Sequence, residues 1–160
     1  MDRADLAVEQ WARERPDLRT LPMTIFGRLN EAAERVMREL MNPLFAKAGL
    51  QAGEFDVLAT LHRSGEPYTL SPTQLYEAAM ISSGGMTDRL DRLERAGLVV
   101  RRPDPKDRRG KLIVLTDPGK RLIDDATSRH VANEERLLLS LTQAEQETLD
   151  ALLRKLIAGL

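Results

Sequence analysis

The chain has no cysteine, which excludes disulfide staples, thiolate metal ligands and redox sensing by a thiol of its own. Histidine is scarce as well. His62 and His130 stand far apart, and neither has a partner at metal-ligand spacing, so no metal site is expected. No segment approaches the ~20 consecutive apolar residues of a membrane span. The opening Met1-Asp2-Arg3-Ala4-Asp5 lacks the basic-then-apolar order of a secretion signal. A cytoplasmic protein without membrane contact is the expectation. Catalytic signatures are also missing. There is no Ser/His/Asp or Cys/His set, and Gly84-Gly85 is not followed by the Lys-Ser/Thr of a phosphate loop. Neither an enzyme nor a bound cofactor is expected.

What the chain does have is ordinary in amount and uneven in placement. Its 160 residues are 42% apolar and 31% charged, the balance of a folded, helix-rich domain. The formal net charge is only −1. Between Arg89 and Lys111, however, nine basic residues face four acidic ones. A basic stripe on an acidic body is the electrostatic footprint of a duplex binder. An architectural protein that coats DNA without selectivity would be basic throughout, and this chain is not.

The order of elements sharpens that reading. Residues 4–14 form a short predicted helix that stops before Pro16, because the residue preceding proline disfavours helical geometry. A longer one opens at Pro22 and Thr24, carries Ile25, Leu29, Ala32, Ala33, Val36 and Leu40 at helical spacing, and ends before Pro43. Gln51 to Arg63 is a third, with Phe55, Leu58, Ala59 and Leu61 inward. After the turn at residues 64–67 and a bridging strand at 68–70, Ser71-Pro72 caps a helix that runs to about Ala79. Ser82 or Ser83 caps the next, which keeps Met86, Leu90 and Leu93 inward and ends at Ala96, with Gly97 as a left-handed cap. Residues 98–102 and 111–115 are β-like runs joined by a charged turn. Thr116 opens a long helix to about Leu139, and Thr142 with Glu145 makes a capping box for the last one, which ends near Ile157.

Two capped helices followed by a two-stranded hairpin make a winged helix-turn-helix. The predicted fold is therefore mainly α with a small β-hairpin: residues 51–116 read DNA, and residues 1–50 and 117–160 form a helical dimerisation region. The first long helix and the last two, with Leu137, Leu138, Leu139, Leu141, Leu149, Leu152, Leu153, Leu156 and Ile157, carry more apolar residues than one small lobe can bury, so a second copy is expected to cover them. Candidate DNA contacts are Ser71 and Thr73 on the first helix of the motif, and Ser82, Ser83, Gly84, Thr87, Asp88, Arg89 and Arg92 on the second. Small residues and hydroxyls there admit the backbone of a duplex, and Arg reaches base edges. Arg108, Arg109 and Lys111 of the hairpin complete the set, with guanidinium suited to the negative minor groove.

Two stretches, Leu70-Ser71-Pro72-Thr73-Gln74-Leu75 and Ser82 through Val99, resemble the DNA-reading core of the MarR family. So does Asp104-Pro105-Lys106-Asp107-Arg108-Arg109-Gly110-Lys111, followed by Leu115-Thr116 and Gly119. The resemblance spans roughly residues 20–158. It implies a triangular homodimer on a palindromic operator, usually a repressor, released when an anionic or phenolic effector binds between the dimer helices and the DNA lobe. It also implies that Asp107 buttresses a neighbouring arginine. A narrower pattern, Trp11 on an added first helix with Asp56, Arg89 and Arg101, is similar to the effector pocket of the urate-responsive subgroup. Arg would supply charge and forked donors to such a flat anion, Trp would stack on it, and an Asp56–Arg101 pair would couple the pocket to the wing.

Overall fold

Side-chain caps set where several of the helices begin. A computed structural model of the protein describes residues 1–79, 85–107 and 110–160. Helix α1 (Arg3–Glu14) begins at Asp2, whose carboxylate accepts the Asp5 N–H. Helix α2 is Leu21–Val36, and α4 (Ala52–Arg63) starts after Gln51. Strand β1 (Thr69–Leu70) leads into α5 (Pro72–Ala78), where the Ser71 hydroxyl accepts the Gln74 N–H at 3.2 Å. Helix α6 (Met86–Arg95) follows, then β2 (Val99–Pro103), β3 (Lys111–Leu115), α7 (Asp117–Leu138) and α8 (Gln143–Ile157). This is the expected mainly helical winged helix-turn-helix.

Two boundaries differ from expectation. The second helix does not end before Pro43. A π turn at Met37–Met41 carries it into a further short helix, α3 (Asn42–Lys47), with Pro43 in its first turn. The wide turn, closed by the Asn42 N–H on the Met37 carbonyl, makes room for the proline ring at a position where its missing N–H costs nothing. Gly85, rather than Ser82 or Ser83, is the residue that precedes the first turn of α6. Ser82, Ser83 and Gly84 lie outside the described residues.

The sheet is antiparallel in the order β1-β3-β2, with Leu70 opposite Ile113 and Arg101 opposite Ile113 on the other edge. Against it packs one core: Val57, Leu58 and Leu61 of α4, Leu75 of α5, Leu90 and Leu93 of α6, and Ile123 and Ala126 of α7. Each such Leu or Ile contributes about 1.5–3 kcal/mol by leaving water. Phe45 stacks on Phe55 at 4.6 Å between ring centroids, which fastens α3 to α4. Helices α2 and α8 bury no residue at all. Phe26 is 54% exposed, Leu152 61% and Ile157 69%, so much of the apolar surface of these amphipathic helices stays uncovered by the described residues of the single chain, although α1 packs on α2.

Candidate nucleic-acid interface

Helix α6 is the element on which the site turns. Its apolar stripe, Leu90 and Leu93 with half-buried Met86, faces the core. At 100° per residue that leaves Asp88 and Arg95 on the opposite side and Thr87 on the flank, and all three are exposed. Thr73 of α5 is exposed too. The Arg63 guanidinium donates to the Ala78 carbonyl, tying the end of α4 to the last turn of α5, the first helix of the motif.

The flanks of α6 are charged and engaged. On one side Arg92 Nε donates to Glu54 Oε1 at 2.6 Å, and a second guanidinium nitrogen reaches the Gln51 side-chain oxygen at 3.1 Å. The Glu54 side chain is only 7% exposed. Arg92, one of the expected DNA contacts, is held on α4 by this pair, because a carboxylate so buried needs a cation beside it. The Arg89 side chain crosses α4 at Gly53, where a Cβ would collide with it. Asp56 lies one helical turn beyond Gly53 on the same face.

On the other flank Arg101 of β2 holds two carboxylates of α6, Asp91 at 2.6 Å and Glu94 at 2.7 Å. Its backbone N–H also donates to Glu94 at 3.1 Å. The Asp91 carboxylate, with Glu94 behind it, raises the Arg101 guanidinium above its ordinary pKa. The expected Asp56–Arg101 pair is thus replaced by pairs within the α6–β2 unit, since the strand runs directly back along the helix. Gly97 closes the helix at φ 71°, with the Gly97 and Leu98 N–H groups on the carbonyls of Glu94 and Leu93.

The hairpin turns back at Asp104, whose N–H meets the Gly110 carbonyl at 3.1 Å, while the Gly110 N–H donates to the Asp107 carbonyl at 2.9 Å. Lys111 is exposed at the start of β3. Arg95, Arg102 and Lys106, which sequence reasoning does not single out, are exposed as well. Strand alternation was the available signal for Arg102, since it must face away from the side that Arg101 takes. Arg108 and Arg109 lie outside the described residues. Trp11 lines a cleft of about 240 Å³ between α1 and α2, walled by Ala4, Ala7, Met23 and Gly27 among others, and not by Asp56, Arg89 or Arg101. The four candidate effector residues therefore do not share one cleft of the single chain: α1 packs on α2, away from the α4–α6 contact that brings Arg89 toward Asp56.

A model of the MarR family matches residues 48–110, from the approach to α4 through the hairpin. The HTH-type transcriptional regulator PecS of Dickeya dadantii is 45% identical over 146 residues, covering 91% of this chain and 87% of that protein. The chain belongs to the MarR family. Among solved structures, the MarR-family regulator Sco3205 from Streptomyces coelicolor in complex with DNA is similar with a TM-score of 0.79 and 26% identity, over 89% of each chain. BpsR of Bordetella bronchiseptica, whose DNA binding is regulated by 6-hydroxynicotinic acid, matches with a TM-score of 0.71 and 25% identity, over 81% of this chain and 91% of that one. This MarR-family chain is accordingly a transcriptional regulator with a winged helix-turn-helix. Among its described residues no helix is long and apolar enough to cross a membrane.

Proposed function

We propose that this MarR-family chain works as a cytoplasmic homodimeric repressor, not an enzyme, that leaves a palindromic operator when a small flat anion binds. The observation that carries the reading is α6, whose exposed Thr87 and Asp88 stand outward on a helix pinned at both flanks and followed by a basic hairpin. Helix α6 enters the major groove by its N-terminal end, where Ser82, Ser83, Gly84, Thr87 and Asp88 reach base edges. Ser71 and Thr73 at the start of α5 contact the backbone, and Lys111 with Arg108 and Arg109 of the wing lies along the adjacent minor groove. Arg92 is assigned to α4 rather than to DNA. Residues 1–50 and 117–160 pair the two copies.

The effector reading rests on guanidinium chemistry. Arg89, beside α4 at Gly53, offers a forked donor to an anionic heterocycle, with Asp56 one turn away as an acceptor for ring N–H groups. A relative regulated by 6-hydroxynicotinic acid supports that chemical class, and urate or a related purine is its purine counterpart. Trp11 is then an anchor for α1, and Arg101 transmits the change to the wing through α6.

The test is a binding titration on the intergenic duplex upstream of the chain's own gene, with and without a panel of purines and aromatic acids. Selective binding to two half-sites about 10 bp apart, weakened by a member of the panel and insensitive to it in Arg89→Ala, is the expected result. Equal affinity for random duplexes sinks the regulator reading. Selective binding that no purine weakens at millimolar concentration removes urate alone.

A further inference from the structure

Glu54 carries more than helix capping requires. One carboxylate oxygen accepts the Gln51 N–H at 2.7 Å, which caps α4, and the other accepts Arg92 Nε at 2.6 Å. Gln51 joins the same guanidinium from its side-chain oxygen. A buried carboxylate in this position is not the cheapest way to join two helices, because an apolar pair of similar volume would avoid the desolvation penalty. What an ion pair adds is direction. The apolar stripe of α6 bears on α4 through Leu90 and Leu93, and such contacts tolerate rotation of a helix about its axis better than a forked, charge-assisted bond does. Arg92 and the Asp91–Glu94 edge lie on opposite flanks of that stripe, so Glu54 on one side and Arg101 on the other hold α6 against rolling either way.

The geometry points to Glu54 as a positioning residue that acts through Arg92 to set the roll of α6, and with it the residues that meet the bases. The inference rests on α6 as the DNA-reading helix and names what orients it. A roll of one residue's width, about 100°, replaces Thr87 and Asp88 by other residues at the groove. A much smaller roll already breaks hydrogen bonds to base edges while leaving phosphate contacts, which are fewer in geometric demands, largely in place.

The test compares wild type, Glu54→Gln, Arg92→Gln and the double variant on two duplexes of equal length. One is selected from a random-sequence pool by the wild-type protein, and the other is a scrambled version of it. Each folded single variant is expected to bind the selected duplex about tenfold more weakly, the loss of roughly one base contact. Binding to the scrambled duplex and the salt slope are unchanged, and the double variant is no worse than either single one. Selection repeated with Glu54→Gln returns a degenerate site. If Arg92→Gln alone loses affinity and lowers the salt slope by about one unit, Arg92 is a phosphate contact and the inference is overturned. If folded variants keep the wild-type ratio between the two duplexes, the pair is only structural, which overturns it too. Should Glu54→Gln not fold, Arg92→Lys takes its place: it leaves Glu54 a cation but cannot span Glu54 and Gln51, and an unchanged ratio there has the same consequence. A wild type that selects no sequence sinks the regulator reading and the inference together, whereas a retained ratio sinks the inference alone.

Discussion

Asp2 sits at the head of α1 between two obligations, accepting the Asp5 N–H and pairing with Arg28 of α2 at 2.8 Å. The Arg28 guanidinium, helped by the backbone bond, holds its carboxyl down to about 2 from an ordinary 3.8. A depressed carboxylate stabilises the folded arrangement above its unfolded value and loses that contribution as pH falls through its folded value. The α1–α2 tether is therefore intact at neutral pH and is lost between about pH 4 and pH 2. Asp2→Asn should reproduce the acid state at pH 7, seen as faster amide exchange in α1 with α4 to α7 unchanged; equal protection in the variant would show that Asp2 does not hold the helix. Arg101 offers a stronger case, because its side chain is 28% exposed and serves two carboxylates. Arg101→Gln leaves Asp91 and Glu94 facing each other without a cation and should cost about 1–3 kcal/mol in a urea titration. Gly119 is a matter of room. A Cβ there would meet the Leu98 carbonyl and the Leu115 side chain, so Gly119→Ala should destabilise by roughly 1–3 kcal/mol, read as a lowered Tm.

At the scale of elements, the hairpin is the part whose charge does its work in solution. Lys111 is exposed at the start of β3, and Lys111→Ala should weaken duplex binding and reduce the salt slope by about one unit if that side chain neutralises one phosphate. Arg109→Ala is expected to do the same, and an unchanged slope removes either residue from the contact set. The elements themselves were largely readable from local chemistry. Ser71-Pro72, Thr116 and the Thr142–Glu145 box each cap a helix where expected, because a cap depends on residues within one turn. The π turn and α3 were not readable, since the rule that proline stops a helix contains no term for a widened turn that accommodates it. The partners of Arg92 and Arg101 were hidden for a different reason. They lie 38–41 and 7–10 residues away along the chain, and only the crossing of α4, α6 and β2 decides which acceptor each guanidinium meets. Trp11 is set apart from Arg89 by a different contact, the packing of α1 on α2, which spacing along the chain does not reveal.

For the whole molecule, the exposed apolar faces of α2 and α8 and the reading of a two-part operator are one problem. A single α6 contacts only a few base pairs, and a lone winged domain holds such a site weakly. Two copies held at a fixed separation convert the second contact into an intramolecular event, which multiplies affinity without any new contact. The helices able to hold them are those with Phe26, Leu149, Leu152 and Ile157 exposed in the single chain. Burying each of those side chains in a partner yields about 1.5–3 kcal/mol, against a large loss of freedom on association. Removing the chain after Thr142 deletes all of α8 and no residue of the core around α4, α6 and the sheet. The truncated protein should therefore retain the far-ultraviolet signal of a folded DNA lobe, sediment as a monomer or aggregate through its uncovered α2 face, and lose its preference for paired half-sites over a single one. A truncated chain that stays soluble, dimeric and fully selective would move the dimer contact away from α8, and the separation of the two α6 helices would then have to be set by α1 and α2 alone.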